Sequence, residues 1–271
     1  MHVTLGDTLD EAHSTALKAV ALARQLLGQQ TPANFVAMQK SAAGDLVTDI
    51  DYQAEHIMME VIHRDFPNHR ITSEEGGAVD GPAEWTWLID PLDGTNNVVL
   101  GIPMYGSCVT LCHNGDAVVA AIYVAHEDAT YSAIRGKGAL RNGKRIRIRY
   151  DGVPQLATIS WINGYGVTPD DNGPRQALGL LERRFKRTLS LWAPSVDWSL
   201  LAGGRTGALF AYRNEPEDLL CGVLIAAEAE AVIMDFGGRE VTDVCASDTL
   251  VVAAPEVAKY VAEVLGELGC E

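Results

Sequence analysis

Asp90 and Asp93 stand three residues apart in the run Trp85-Thr86-Trp87-Leu88-Ile89-Asp90-Pro91-Leu92-Asp93-Gly94-Thr95. The residues before Asp90 are apolar or strand-forming, so the run predicts a buried strand delivering two carboxylates into a turn shaped by Pro91 and Gly94. Two acids converging at a strand end repel one another unless one is protonated or a cation bridges them. Other segments supply more acids. Thr72-Ser73-Glu74-Glu75-Gly76-Gly77 sets two before a glycine pair, at the end of a predicted strand. Gly44-Asp45-Leu46-Val47-Thr48-Asp49-Ile50-Asp51 leads into a predicted helix with three more, and Asp218 begins the helix that carries Gly222. Taken singly, these acids read as helix caps or solvated charge. Together they offer hard oxygen ligands without a paired histidine, a donor set for Mg2+ rather than zinc or copper. Gly94-Thr95 adds backbone N–H groups that a turn exposes as an anion-binding nest. Carboxylate-held Mg2+ beside such a nest can hold a phosphate monoester and activate a water for in-line attack.

The elements that must position these groups follow from hydrophobic spacing. Leu9–Leu27 and Asp51–Asp65 carry apolar residues at helical intervals, the second through Ala54, Ile57, Met58, Val61 and Ile62. Trp85–Ile89, Cys108–Leu111 and Ala117–Val124 read as strands, with Asn114-Gly115 and Asn142-Gly143 as hairpin turns. The first half is therefore expected to be helices on an antiparallel sheet. Beyond Asp151–Pro154 strands alternate with helices: strands at 158–162, 188–192, 208–212, 231–234 and 249–253, helices at 174–184, 196–202, 219–229 and 255–268. The expected division is an α+β half, 1–150, with most of the acids, and an α/β half, 151–271, with Asp218 and the segments facing a substrate. A cleft between them is a natural ligand site.

Composition narrows the classes of function. The chain has 271 residues, 47% of them hydrophobic, which is enough to build a large core and excludes disorder. No apolar run is long enough for a membrane span, and the acidic N-terminal stretch is unlike a signal peptide, so a cytoplasmic location is expected. A formal net charge of −15 argues against nucleic acid as a partner but not against a small phosphate, since a divalent cation reverses the local sign. Cys108, Cys112, Cys221, Cys245 and Cys270 are irregularly spaced and read as reduced thiols, not a zinc site. Gly203-Gly204-Arg205-Thr206-Gly207 reads as a turn, lacking the Lys-Ser/Thr of a phosphate loop.

The ordered set of Asp45-Leu46-Val47-Thr48, Glu74-Glu75, Trp87 to Thr95 and a late Asp218 resembles the inositol monophosphatase family. That family belongs to the Mg2+-dependent, lithium-sensitive phosphomonoesterases that include fructose-1,6-bisphosphatase. The resemblance runs from Lys40 to Gly237-Gly238. It implies a layered α-β-α-β-α sandwich of overall α/β class, usually homodimeric, with Mg2+ ions between the halves. It implies metal ligation by Glu74, Asp90, the Leu92 carbonyl, Asp93 and Asp218, with Glu74 also helping to activate water. Asp45 and Thr95 match the pair that orients the water and takes up its proton, and the Gly94 and Thr95 amides, with Asp93, would hold the phosphate.

Departures concentrate near the substrate. Val98 stands where the family usually has an aromatic, Glu217-Asp218 where it has Trp-Asp, and Glu228-Ala229-Glu230-Ala231 where it has Glu-Ala-Gly-Gly. Ala211 occupies the position where inositol-cleaving members carry a glutamate for the sugar hydroxyls. Losing that acceptor costs a polyol about 1–3 kcal/mol of discrimination. Trp192 and Ala193, in Ser190–Ser195, fall in the segment that faces the substrate in relatives, and Arg213, Glu215 and Glu217 are candidate replacement contacts. The expected activity is Mg2+-dependent hydrolysis of a small phosphate ester, by default inositol 1-phosphate. The alternatives are histidinol phosphate, a sugar (bis)phosphate or 3′-phosphoadenosine 5′-phosphate, and, in another class, a weakly catalytic metabolite-binding relative.

Overall fold

Each amphipathic stretch of the sequence finds a partner face in the computed structural model, which describes residues 5–28, 36–40, 46–164, 166–168, 170–241 and 247–268. The helices are α1 (Leu5–Leu27), α2 (Asp49–Asp65), α3 (Thr95–Val99), α4 (Gly173–Arg184), α5 (Pro194–Ala202), α6 (Pro216–Glu228) and α7 (Pro255–Leu268). The strands are β1 (Ala37–Gln39), β2 (Leu46–Thr48), β3 (Arg70–Ser73), β4 (Ala78–Val79), β5 (Trp85–Asp93), β6 (Gly106–His113), β7 (Asp116–Val124), β8 (Ala129–Ile134), β9 (Gly138–Arg141), β10 (Lys144–Ile146), β11 (Thr158–Asn163), β12 (Arg187–Leu189), β13 (Ala208–Tyr212), β14 (Val232–Met234) and β15 (Leu250–Ala253).

An eight-stranded sheet runs in the order β10-β9-β8-β7-β6-β5-β3-β4, and a five-stranded sheet in the order β12-β11-β13-β15-β14. On one face of the larger sheet, Trp87, Ile89, Val109 and Leu111 pack against Ala12, Ala16, Ala19 and Val20 of α1 and Ala54, Met58 and Ile62 of α2. The small residues of α1 let that helix lie close to the sheet. The other face, through Cys108, Ala120, Ile122 and Val124, shares one continuous core with α5, α6, the smaller sheet, α4 and α7. The layers are therefore α-β-α-β-α, with α5 and α6 between the sheets. The chain passes from one sheet to the other between Ile146 and Thr158. No helix among the described residues is long and apolar enough to cross a membrane.

Three differences from the sequence reading bear on function. First, the larger sheet is not wholly antiparallel: β3 and β5 run parallel, with Ser73 opposite Ile89. Second, β5 does not stop at Ile89 but continues to Asp93, with its register shifting between Asp90 and Asp93. Pro91 has no N–H for the ladder, so the strand bulges there, and the Ser107 hydroxyl satisfies the Pro91 carbonyl at 2.7 Å. Third, the strand expected at 188–192 closes at Leu189, leaving Ser190–Ala193 as loop. The Asn114-Gly115 hairpin forms as expected, both residues taking positive φ (52° and 90°). Cys108, Cys112 and Cys221 are buried thiols outside any disulfide; Cys245 and Cys270 lie outside the described residues.

Candidate active site

The parallel pairing of β3 with β5 brings the first acids together. Because Ser73 lies opposite Ile89, the next residues, Glu74 just past the end of β3 and Asp90 within β5, come side by side, and the Glu74 amide donates to the Ile89 carbonyl at 3.0 Å. The bulge then turns Asp93 back toward the same place. Asp90 and Asp93 are both buried. Burial, with Glu74, Asp93 and Asp218 as negative neighbours, holds the Asp90 carboxyl well above its ordinary range. Burial, with Glu74, lifts Asp93 to about 7 against the opposing pull of hydrogen bonds from Ser195. Lys40 engages Glu74 at 2.9 Å and Glu75 at 3.0 Å.

The helices between the sheets complete the constellation. Pro194 starts α5, and the next amide, that of Ser195, donates to Asp93 Oδ2 at 2.5 Å. A helix N-terminus thus supports the negative form of a carboxylate that burial disfavours. Asp218 lies in the first turn of α6, which is locked to α5 by Trp198: its indole N–H donates to the Asp218 carbonyl at 3.1 Å. Gly222 makes this possible, since a Cβ there would stand 2.0 Å from the Trp198 ring. Gly222→Ala is therefore expected to displace the indole, lower the melting temperature by several degrees and weaken any activity that needs Asp218. Overpacking of this kind costs about 1–3 kcal/mol, and thermal denaturation together with turnover checks it.

Gly94 takes φ +88°, where a Cβ would lie 2.8 Å from the Met104 carbonyl, and so aims the first turn of α3 into the cleft. The amides of Gly94 and Thr95 belong to that turn, which has no helical carbonyl of its own for them. Thr95 Oγ lies 2.7 Å from Asp51 Oδ1 and 2.9 Å from the Leu92 carbonyl. The other oxygen of Asp51 accepts from the Thr48 amide at 2.8 Å and from the Thr48 hydroxyl, closing the capping box of α2. Burial raises the pKa of Asp51 against these hydrogen bonds.

Glu74, Asp90, Leu92, Asp93, Gly94, Thr95, Trp192, Ala193 and Asp218, all singled out from the sequence, line one cleft of about 510 Å3. Asp45 lies outside the described residues; among the described residues the carboxylate on Thr95 is Asp51. Ala211 is fully buried on β13, between β11 and β15, and does not line the cleft; a central strand turns this methyl into the core. Arg213 is engaged by Asp171 at 2.9 Å, and neither it nor Glu215 reaches the cleft; the Glu217 side chain is outside the described set. Lys40, Asp51, Asp197 and Trp198 had no site role of their own in the sequence, although Asp51 was among the acids leading into the second helix. Asp51 looked like a helix cap because it is one: a single carboxyl caps α2 and holds Thr95. Asp197 also lines the cleft, fully buried beside Ser160, and burial holds its carboxyl well above the usual range.

The inositol monophosphatase family model matches residues 8–268. The chain belongs to the inositol monophosphatase family. It is similar to the Nus factor SuhB of Vibrio cholerae, 32% identical over 234 residues that cover 85% of this chain and 86% of that one. It is also similar to the fructose-1,6-bisphosphatase/inositol-1-monophosphatase of Thermotoga maritima, 29% identical over 235 residues and covering 85% and 88%. The crystal structure of SuhB from Bartonella henselae shares the fold, with a TM-score of 0.81 at 22% identity over 94% of this chain and 98% of that one. Membership supports a phosphatase role on a small phosphate ester, in a family that is typically metal-dependent.

The donor set fits such a metal. Among the described residues no three His, Cys, Asp or Glu side chains stand ready-made around a common point, because Glu74 is turned to Lys40 and Asp93 to the Ser195 amide. Yet Glu74, Asp93 and Asp218 are close enough to raise the pKa of Asp90, and among the described residues Lys40 is the one basic side chain lining the cleft. Buried oxygen donors whose mutual repulsion is only partly offset are what a hard divalent cation relieves.

Proposed function

We propose that the chain is a Mg2+-dependent phosphomonoesterase acting on a small metabolite. The observation that carries this reading is the meeting of Asp90, Asp93, Glu74 and Asp218 beside the Gly94-Thr95 turn, with Thr95 tied to the buried Asp51. Glu74, Asp90, Asp93, Asp218 and the Leu92 carbonyl would hold the metal, which supplies Lewis acidity toward the phosphoryl oxygens and a water of lowered pKa. The amides of Gly94 and Thr95 bind the phosphoryl group. Thr95 Oγ accepts a hydrogen bond from the attacking water and donates its own proton to Asp51 Oδ1. Asp51, kept basic by burial, serves as the terminal acceptor in that relay. The Ser195 amide keeps Asp93 oriented. Homodimerisation and a cytoplasmic location belong to the same reading.

A panel of phosphate esters, with inositol 1-phosphate, histidinol phosphate and 3′-phosphoadenosine 5′-phosphate among its arms, tests this. Phosphate release above background is expected with Mg2+ and should disappear on chelation. Binding of Mg2+ and esters without release from any of them would overturn the proposal. That result would favour a non-catalytic role, a second reading supported by similarity to proteins named Nus factors.

A further inference from the structure

Trp192 is 56% exposed at the cleft, where a large apolar ring gains little from packing. Its backbone is also in the left-handed region, at φ +56°. Among the described residues, Asn114, Asp128, Asn142, Arg213 and Glu230 share that region; the first three are the short polar types that tolerate it, and Trp192 is the one aromatic residue there. An indole-bearing residue has no such compensation, so the conformation persists only because its surroundings impose it. Those surroundings are visible: the buried Asn97 side chain donates to the Leu191 carbonyl at 2.7 Å and the Met104 carbonyl at 2.8 Å, and Ala193 packs against Gly94. The same loop then enters α5, whose Ser195 amide holds Asp93. The strained indole is thus tied rigidly to the acidic centre.

The wall around it is apolar. Trp161, Ile162, Val167, Ala193 and Pro194 line the cleft together with Trp192, with Asn163 and Ser190 among the polar residues of the same lining. A polyol arriving here would bury hydroxyls against hydrocarbon and lose hydrogen bonds to water. A flat ring would instead lie on the indole face and replace loosely held water.

We propose that Trp192 determines specificity by stacking on an aromatic or heteroaromatic ring in the alcohol portion of the phosphate ester. This deepens the phosphatase reading and rests on it. The test uses two esters of similar leaving-group chemistry, 2-phenylethyl phosphate and hexyl phosphate, assayed with Mg2+ on the full chain and on W192A, W192F and W192G. W192A is expected to raise KM for the phenyl ester about tenfold or more. KM for hexyl phosphate should move less than about twofold and kcat should change little for either, while W192F retains most of the preference. W192G removes the strained conformation, so its melting temperature should equal or exceed that of the parent even as ring preference is lost. Equal shifts for the two esters, a preference of the parent for inositol 1-phosphate over the phenyl ester, or a lowered melting temperature in W192G would overturn the assignment while leaving the phosphatase reading intact. Release from no ester by the parent would instead sink the phosphatase reading, and this inference with it.

Discussion

Asp93→Asn is expected to lower turnover at least about a thousandfold and, in the metal-free protein at pH 8, to raise the melting temperature. The first effect follows from removing a charge from the proposed metal and phosphate centre, where about 4 kcal/mol of transition-state stabilisation corresponds to that factor. The second follows from the field the carboxylate sits in. Burial and Glu74 lift its pKa from 3.8 to about 7. An acid with a folded pKa above its unfolded one does not destabilise the fold below the unfolded value. The penalty grows as pH rises between the two and is complete above the folded one. Asparagine abolishes the penalty and keeps an oxygen to accept the Ser195 amide. The gain should be a few degrees at pH 8, at about 2–4 °C per kcal/mol for a chain of this size, and should vanish near pH 4. Loss of activity with gain of stability is the signature of a site strained for function. Parent-like turnover, or a lower melting temperature at pH 8, contradicts the assignment.

Thr95→Ala and Asp51→Asn should each reduce kcat about 10²–10⁴-fold, with KM nearly unchanged, and the double variant should fall no further than the worse single one. The reason is that Thr95 Oγ and Asp51 Oδ1, 2.7 Å apart, form one relay, and breaking it at either end removes the same proton path. Asparagine at 51 can still accept the Thr48 amide, so the loss of α2 capping should stay near 1 kcal/mol and be visible separately by denaturation. Asp45→Asn supplies the control. If it were the more damaging change, the pairing suggested by sequence resemblance would stand over the hydrogen bonds described above. Multiplicative losses in the double variant would likewise argue against a shared path.

The Asp-Pro-Leu-Asp-Gly-Thr run could be read as a site because its chemistry is local. An apolar strand ending in two acids and a glycine carries its own electrostatic problem, and no distant residue is needed to notice it. The helices α1, α2 and α7 and the Asn-Gly hairpins were legible for the same reason, since helical period and left-handed turns are short-range properties. Asp51 shows the opposite case. Thr48-x-x-Asp51 satisfies a helix cap completely within four residues, and nothing in those residues reveals that the second oxygen meets a threonine 44 positions away. Ala211 failed because an ungapped count fixes a residue's position along a strand but not whether that strand lies at the edge or in the middle of a sheet.

What the sequence determined by itself was the inventory: which acids, which turn and which apolar faces, with the layered fold implied by the resemblance those residues carry. What only the tertiary structure decided was adjacency. The parallel registration of β3 on β5 sets Glu74 beside Asp90, the N-terminus of α5 meets Asp93, the contact of Gly222 with Trp198 fixes Asp218, and the loop before α5 holds Trp192 over the cleft. These are contacts between residues far apart in the chain. Their free energies depend on burial and on neighbours that no local window contains, which is why the same carboxylates can be named in advance but assigned their roles only once the chain is folded.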